Sequence, residues 1–257
     1  IANAAEAAIV LADATTNYLS DGTAYVLEDA DQDEPNAAIF SKDDLTIWGE
    51  GSLIVAAQYN DGIASKDGLI IASGTINVDA ADDGIRGKDY LIIKDGTITV
   101  TAQGDGLKSD EDEDAAKGYI SIEGGTIQIT SGSDAIQAET DVLITDGVFT
   151  LVSGGGSSGV LAADASAKGI KAGVAVTIDG GTFTIQSADD CVLANGAITI
   201  NGGSFTIVSG DDGMHADGTL TINDGTIDIL KSYEGLEATD VIVNGGTIDI
   251  VASDDGI

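Results

Sequence analysis

Apolar and polar residues alternate in short bursts along most of this chain. In Tyr90-Leu91-Ile92-Ile93, Leu91 and Ile93 fall on one side; in Gly96-Thr97-Ile98-Thr99-Val100, Ile98 and Val100 do the same. Together with Gly84-Ile85-Arg86-Gly87 they predict three strands of about three to five residues, separated by Gly and Asp breaks. Gly62, Gly84 and Gly106 stand 22 residues apart, as do Gly169, Cys191, Gly213 and Gly235, with Gly256 only 21 further on. Three short strands in a repeat of that length leave no room for a helix. The pattern predicts an all-β fold, a parallel β-helix with three strands per coil of about 22 residues.

Stacking the copies gives the expected core. Leu91 and Ile93 align with Ile120 and Ile122, Val142 and Ile144, Ile198 and Ile200, Leu220 and Ile222, and Val241 and Val243. The third strand adds Ile98 and Val100, Ile127 and Ile129, Phe149 and Leu151, Phe183 and Ile185, Phe205 and Ile207, and Ile248 and Ile250. Residues 36–257 carry the repeat, while 1–35 are expected to form an irregular N-terminal cap of the same elongated domain. Within the cap, Ile9-Val10-Leu11 and Ala24-Tyr25-Val26-Leu27 are candidate strands, and Asp29, Gln32, Asp33, Glu34 and Pro35 suggest a loop.

The period stretches twice, to 29 residues between Gly106 and Ala135 and to 34 between Ala135 and Gly169. The first excess is the acidic run Asp110 to Asp114, the second Gly154 to Ser166, and both are expected to leave the coil near the acidic turn. Insertions in solenoids collect on one side, often the binding side.

Charge changes the picture next. The 257 residues hold 44 Asp and Glu against 10 Lys and Arg, a formal net charge of -34. Such a chain repels nucleic acid and anionic membrane surfaces and attracts cations. Its apolar fraction of 43% still suffices for a core. No apolar run is long enough to insert in a membrane, the single Cys191 excludes an internal disulfide framework, and a start at Ile1 suggests that a leader has been removed.

The acids are not scattered. The position before the aligned glycine reads Asp61, Asp83, Asp105, Asp134, Lys168, Asp190, Asp212, Glu234 and Asp255. Coils stack at about the strand spacing of ~4.8 Å, so neighbouring carboxylates repel by roughly 3 kcal/mol at an effective dielectric of ~20. Either each Asp accepts hydrogen bonds from the N–H groups of its own Asp-Gly turn, or cations bridge the rungs. Calcium, which takes about six to eight oxygens, suits such a row. Asp82, Asp189, Asp211 and Asp254 double the ladder, and Asp110, Glu139 and Asp217 lie beyond the first strand. Asp82, Asp83, Asp105, Asp110, Asp134 and Glu139 are thus one group of candidate ligands, and Asp189, Asp190, Asp211, Asp212 and Asp217 another. Asp110-x-Asp112-x-Asp114 and Asp29-x-Asp31-x-Asp33 are not EF-hand loops, since neither has Gly at the sixth place nor Glu at the twelfth.

A second column, one residue past the inward residue of the first strand, reads Ala64, Arg86, Lys108, Gln137, Lys171, Leu193, His215 and Glu237. Arg86, Lys108, Lys171 and His215 could balance the ladder's charge, or could hydrogen-bond sugar hydroxyls and uronate carboxylates as a carbohydrate-binding face.

With its Asp-Asp-Gly-Ile turns, Gly-Gly-Thr-Ile strands and acidic loops, the chain over about 36–257 resembles a bacterial extracellular family of calcium-binding, carbohydrate-binding β-helices. That family looks like polysaccharide lyases and includes a surface protein that binds cellulose and pectin. The resemblance implies a right-handed coil, calcium, and an extracellular or cell-surface location alongside other domains of a surface protein. The expected function is a non-catalytic, calcium-dependent module for plant cell-wall polysaccharides. Its rivals are a pectate-type lyase with Lys108, Lys171 or Arg86 as base, and an adhesin or spacer that calcium merely stiffens.

Overall fold

A computed structural model describes residues 6–25, 35–163 and 165–257. Among them are 27 strands and no helix. One coil consists of Ile85–Gly87, Tyr90–Ile93 and Thr97–Ala102, and the next of Leu107–Ser109, Tyr119–Ile122 and Thr126–Ser131. Each strand pairs in parallel with its counterpart one coil away, placing Ile85 beside Leu107, Leu91 beside Ile120 and Ile98 beside Ile127. First and second strands build a 17-stranded sheet, and third strands a 10-stranded one. This is a parallel β-helix in the register that the hydrophobic columns predict.

Side-chain ladders fix that register. Phe149, Phe183 and Phe205 stack at centroid distances of 4.5 and 4.6 Å with planes 3° apart, fully inside the coil. Outside, the amides of Asn201, Asn223 and Asn244 each donate to the residue one coil back, starting from Asp179, at 2.7 to 2.8 Å. Two glycine columns serve different needs. Gly96, at the corner before the third strand, has φ of +127° and a neighbour's carbonyl 2.8 Å from where a Cβ would stand. Gly84, in the Asp-Gly turn, is small for packing: its Cβ would meet a Val100 methyl at 2.3 Å.

Within the first 35 residues, Ala7–Leu11 is the expected strand and pairs with Leu45–Gly49. A further strand, Thr16–Ser20, pairs with Ser52–Ala57; it is exposed throughout, so no alternation marks it in the sequence. Ala24 and Tyr25 are not in a strand, whereas Val26, Leu27, Asp29, Asp31, Gln32, Asp33 and Glu34 lie outside the described residues. In the last coil the inward register continues to Val243, which is 50% exposed.

The two insertions do not share a corner. The one beginning at Asp110 follows the first strand Leu107–Ser109, while the one beginning at Gly154 follows the third strand Val148–Ser153 and returns to the acidic turn before Ile170–Ala172. They therefore flank the first-strand face from opposite sides.

Candidate functional site

The acidic turn precedes each first strand, so its carboxylates line one edge of the coil. Asp61, Asp83, Asp105, Asp134, Asp190 and Asp212 are all buried there, at 8% exposure or less. Buried carboxylates need partners, and the first comes from the neighbouring coil rather than from the residue's own turn. Asp83 Oδ1 accepts the Asp105 N–H at 2.8 Å, Asp105 Oδ1 that of Asp134 at 3.0 Å, and Asp134 Oδ1 that of Lys168 at 2.7 Å. Farther along, Asp190 Oδ1 accepts from Asp212 at 3.1 Å and Asp212 Oδ1 from Glu234 at 3.0 Å. Each side chain thereby pins the next turn.

The second oxygen meets a base in the first part of the ladder. Lys108 Nζ lies 3.0 Å from Asp83 Oδ2 and 2.8 Å from Asp105 Oδ2. Lys171 Nζ is 3.1 Å from Asp134 Oδ2; Arg86 reaches Asp61 at 3.5 Å and Asp110 at 3.0 Å. Lys168, itself in the ladder column, pairs with Asp189 and lies 3.7 Å from Asp190. The basic column predicted from sequence is a single row in the structure, and its members balance the ladder's charge.

Electrostatics follow from these partners. Burial works against the Lys108 ammonium, but Asp105 and Asp83 outweigh it and hold its pKa above the usual lysine range. Arg86 is raised likewise, with Asp110 chief among the groups opposing burial. Burial pushes Asp61 up to about 7, with Asp83 adding and Arg86 resisting. Asp105 is also raised by burial, against the pull of Lys108.

Beyond Lys168 the balance changes. Leu193 occupies the basic column there, followed by His215 and Glu237. Carboxylate oxygens of Asp189, Asp190 and Asp211 lie within 4.8 Å of one another, as do ligand atoms of Asp190, Asp212 and His215, and of Asp212, Glu234 and Glu237. Among the described residues the base facing the last trio is His215, whose Nδ1 is 3.5 Å from Asp212 and 3.1 Å from Glu237. Burial pushes Asp190 and Asp212 each up to about 6; Lys168 opposes the first shift, and the hydrogen bond with Glu237 adds to the second.

Of the first group of candidate ligands, Asp105, Asp110, Asp134 and Glu139 line one cleft of about 460 Å³ together with Lys108 and Lys171. Asp83 shares Lys108 with Asp105, and Asp82 lies exposed beside it. Of the second group, Asp190 is brought together with Asp189 and Asp211 on one side and with Asp212 on the other, whereas exposed Asp217 stands 3.3 Å from His215 Nε2 and joins neither trio. Sequence reasoning left out Glu234 and Glu237 as ligands. Glu234 stood in the ladder column and Glu237 in register with His215, so the signal was alignment across columns rather than within one.

These oxygen-rich trios fit a hard cation such as calcium by donor chemistry. In the cleft, Lys108 and Lys171 already stand where such a cation would.

The model of the carbohydrate-binding domain-containing protein family matches residues 1–213. A carbohydrate-binding domain-containing protein of Acetivibrio thermocellus is 44% identical over 80 residues, 31% of this chain and 28% of the relative. Among solved structures, the polysaccharide lyase-like protein from C. thermocellum, a gadolinium derivative, superposes with a TM-score of 0.54 at 39% identity, covering 56% of this chain and 59% of that one. The chain thus spans less than two thirds of the length of either protein.

Proposed function

The chain belongs to the carbohydrate-binding domain-containing protein family, and from that premise we propose that it is a non-catalytic, calcium-dependent module for plant cell-wall polysaccharides, cellulose and acidic pectic polymers among them. The observation that carries the calcium reading is the cluster of Asp212, Glu234 and Glu237, close enough to share an ion and faced by a single histidine. Asp189, Asp190 and Asp211 also converge and remain candidate ligands, but Lys168 already pairs with two of them, so a cation there would have to displace its ammonium. A bound calcium supplies positive charge through which a polyuronate can approach a chain of net charge -34. The relative's gadolinium derivative supports the reading, since gadolinium also seeks oxygen ligands.

The geometry argues against a lyase. Its base would have to give up a proton near neutral pH, yet Lys108 and Arg86 are held protonated by the carboxylates they touch, and Lys171 is paired with Asp134. An exported protein on or near the cell surface, carrying further domains, is the setting such a module would serve.

The test is retention on polygalacturonate and on cellulose, each with calcium and with chelator, while unsaturated product is monitored. Calcium-dependent retention on polygalacturonate without product is expected. Product that disappears in Lys108→Ala or Lys171→Ala would overturn the non-catalytic reading. Failure to bind any glycan would leave a calcium-stiffened spacer.

A further inference from the structure

The face built by the second strands, remote in character from the acidic edge, has a chemistry of its own. Its outward positions bring Trp48, Tyr90 and Tyr119 onto one sheet surface. Tyr90 and Tyr119, on adjacent coils, have ring centroids 5.7 Å apart and planes 22° apart. The Tyr90 ring lies across Gly68 of the preceding coil, where a Cβ would fall 1.9 Å from its Cζ, and its hydroxyl reaches Asp44 at 3.4 Å. Gly68 thus makes room for a ring laid along the surface instead of standing off it. Outward Ile70 and Ile92 continue the strip beside the rings, with Leu143 40% exposed farther along.

Two shallow depressions lie at either end of the tyrosine pair. One, of about 360 Å³, is bounded by Asp44, Thr46, Ile70 and Tyr90; the other, of about 390 Å³, by Tyr119, Asp141, Leu143 and Thr177. Aromatic and aliphatic surface interrupted by carboxylates and hydroxyls matches the two sides of a sugar ring, apolar C–H faces and a polar rim.

We infer that this face binds a neutral, extended β-linked glycan chain, laid along the coil axis across Tyr90 and Tyr119 from one depression to the other, with Trp48 to one side on the same sheet. Charge excludes a polyuronate from this place, because Asp44 and Asp141 stand at the two depressions in a chain of net charge -34. Shape favours a flat ribbon over a coiled chain, since a sheet of stacked parallel strands is itself a near-planar strip. The inference rests on the carbohydrate-binding reading and narrows its calcium dependence to acidic polymers, since this surface would hold neutral glucan without calcium.

Trp48, the chain's one tryptophan, is 47% exposed on the same sheet face, two coils back and four residues along the strand from the tyrosine column, and its fluorescence serves as the reporter. The experiment titrates the whole protein in chelator with cellohexaose and measures its depletion by microcrystalline cellulose. Saturable change of Trp48 emission is expected, with affinity falling about tenfold in Tyr119→Ala and in Leu143→Glu. Tyr18→Ala, an exposed residue on the third-strand sheet, should leave it unchanged. Melting temperatures are measured for every variant, and Leu143→Glu keeps the test valid if loss of a stacked ring disturbs the coil. Binding to neutral glucan that survives both substitutions would overturn this surface and leave the carbohydrate-binding reading standing. Retention on polygalacturonate with calcium but none on neutral glucan would do the same. Absence of binding to every glycan would sink both.

Discussion

The acidic ladder runs through two regions that solve one problem in different ways. From Asp61 to Asp134, buried carboxylates receive internal counterions from Arg86, Lys108 and Lys171, and Lys168 turns onward to Asp189 and Asp190 at the boundary. From Asp190 to Glu237, the same column positions offer Leu193, His215 and Glu237 instead. Backbone hydrogen bonds from coil to coil are the same in both regions. A row of aspartates is therefore not in itself a cation site. On the calcium reading proposed above, what decides is whether the neighbouring column carries a base long enough to curl back between two rungs.

The two regions should differ most at Lys108. Lys108→Met removes the one ammonium shared by Asp83 and Asp105 and leaves two buried charges unanswered. That should cost about 3–5 kcal/mol, lowering the melting temperature by about 10 °C in calcium-free buffer. His215→Ala should cost far less, and equal losses in thermal scans would erase the distinction between the regions.

Calcium should act on one region only. Saturating calcium is expected to raise the wild-type melting temperature by about 5–10 °C. Asp212→Asn combined with Glu237→Gln should abolish most of that rise, whereas Asp105→Asn should keep it. Calorimetric titration of the metal into each variant checks the assignment.

The pH dependence sharpens the first region. Asp61, pushed up to about 7 by burial and by Asp83, holds its proton more tightly folded than unfolded. Its contribution is present at low pH and is lost as pH rises from the usual carboxylate range through about 7. Melting temperature in chelator should fall over that window, and Asp61→Asn should flatten the fall by about 5 °C.

The smallest expected effect tests the rule itself. Leu193→Lys puts a base where the second region lacks one, beside Asp190 and Asp212. It should add only about 1–2 °C without calcium, since desolvating the new ammonium offsets most of its attraction to the two buried carboxylates, while weakening the calcium response. An undiminished response would show that reach within the column is not what separates the regions.

Period and columns were legible in the sequence because a solenoid spends one residue per coil on each column, so the spacing of Ile85, Leu107 and Ile136 is the fold itself. Side-chain reach was not. In sequence Lys108 reads equally as a counterion or as a free ligand group, and only its reach, which returns Nζ to the rungs it neighbours, decides for the first. The aromatic face was hidden for a different reason. Tyr90 and Tyr119 are separated by the insertion at Asp110, and Trp48 stands two coils earlier and at a different strand position, so no fixed interval connects them. Thr16–Ser20 escaped notice because both its faces are exposed, leaving no alternation to read.

The hydrogen bond that each aspartate receives from the next turn has a consequence for how such a molecule can change in length. Because each rung specifies only its immediate neighbour, a whole coil is a transferable unit, while a single-residue insertion throws every later column out of step. One added coil would extend the carboxylate row and the aromatic strip together, so valency toward a long polymer could grow by duplication without any new contact having to be invented.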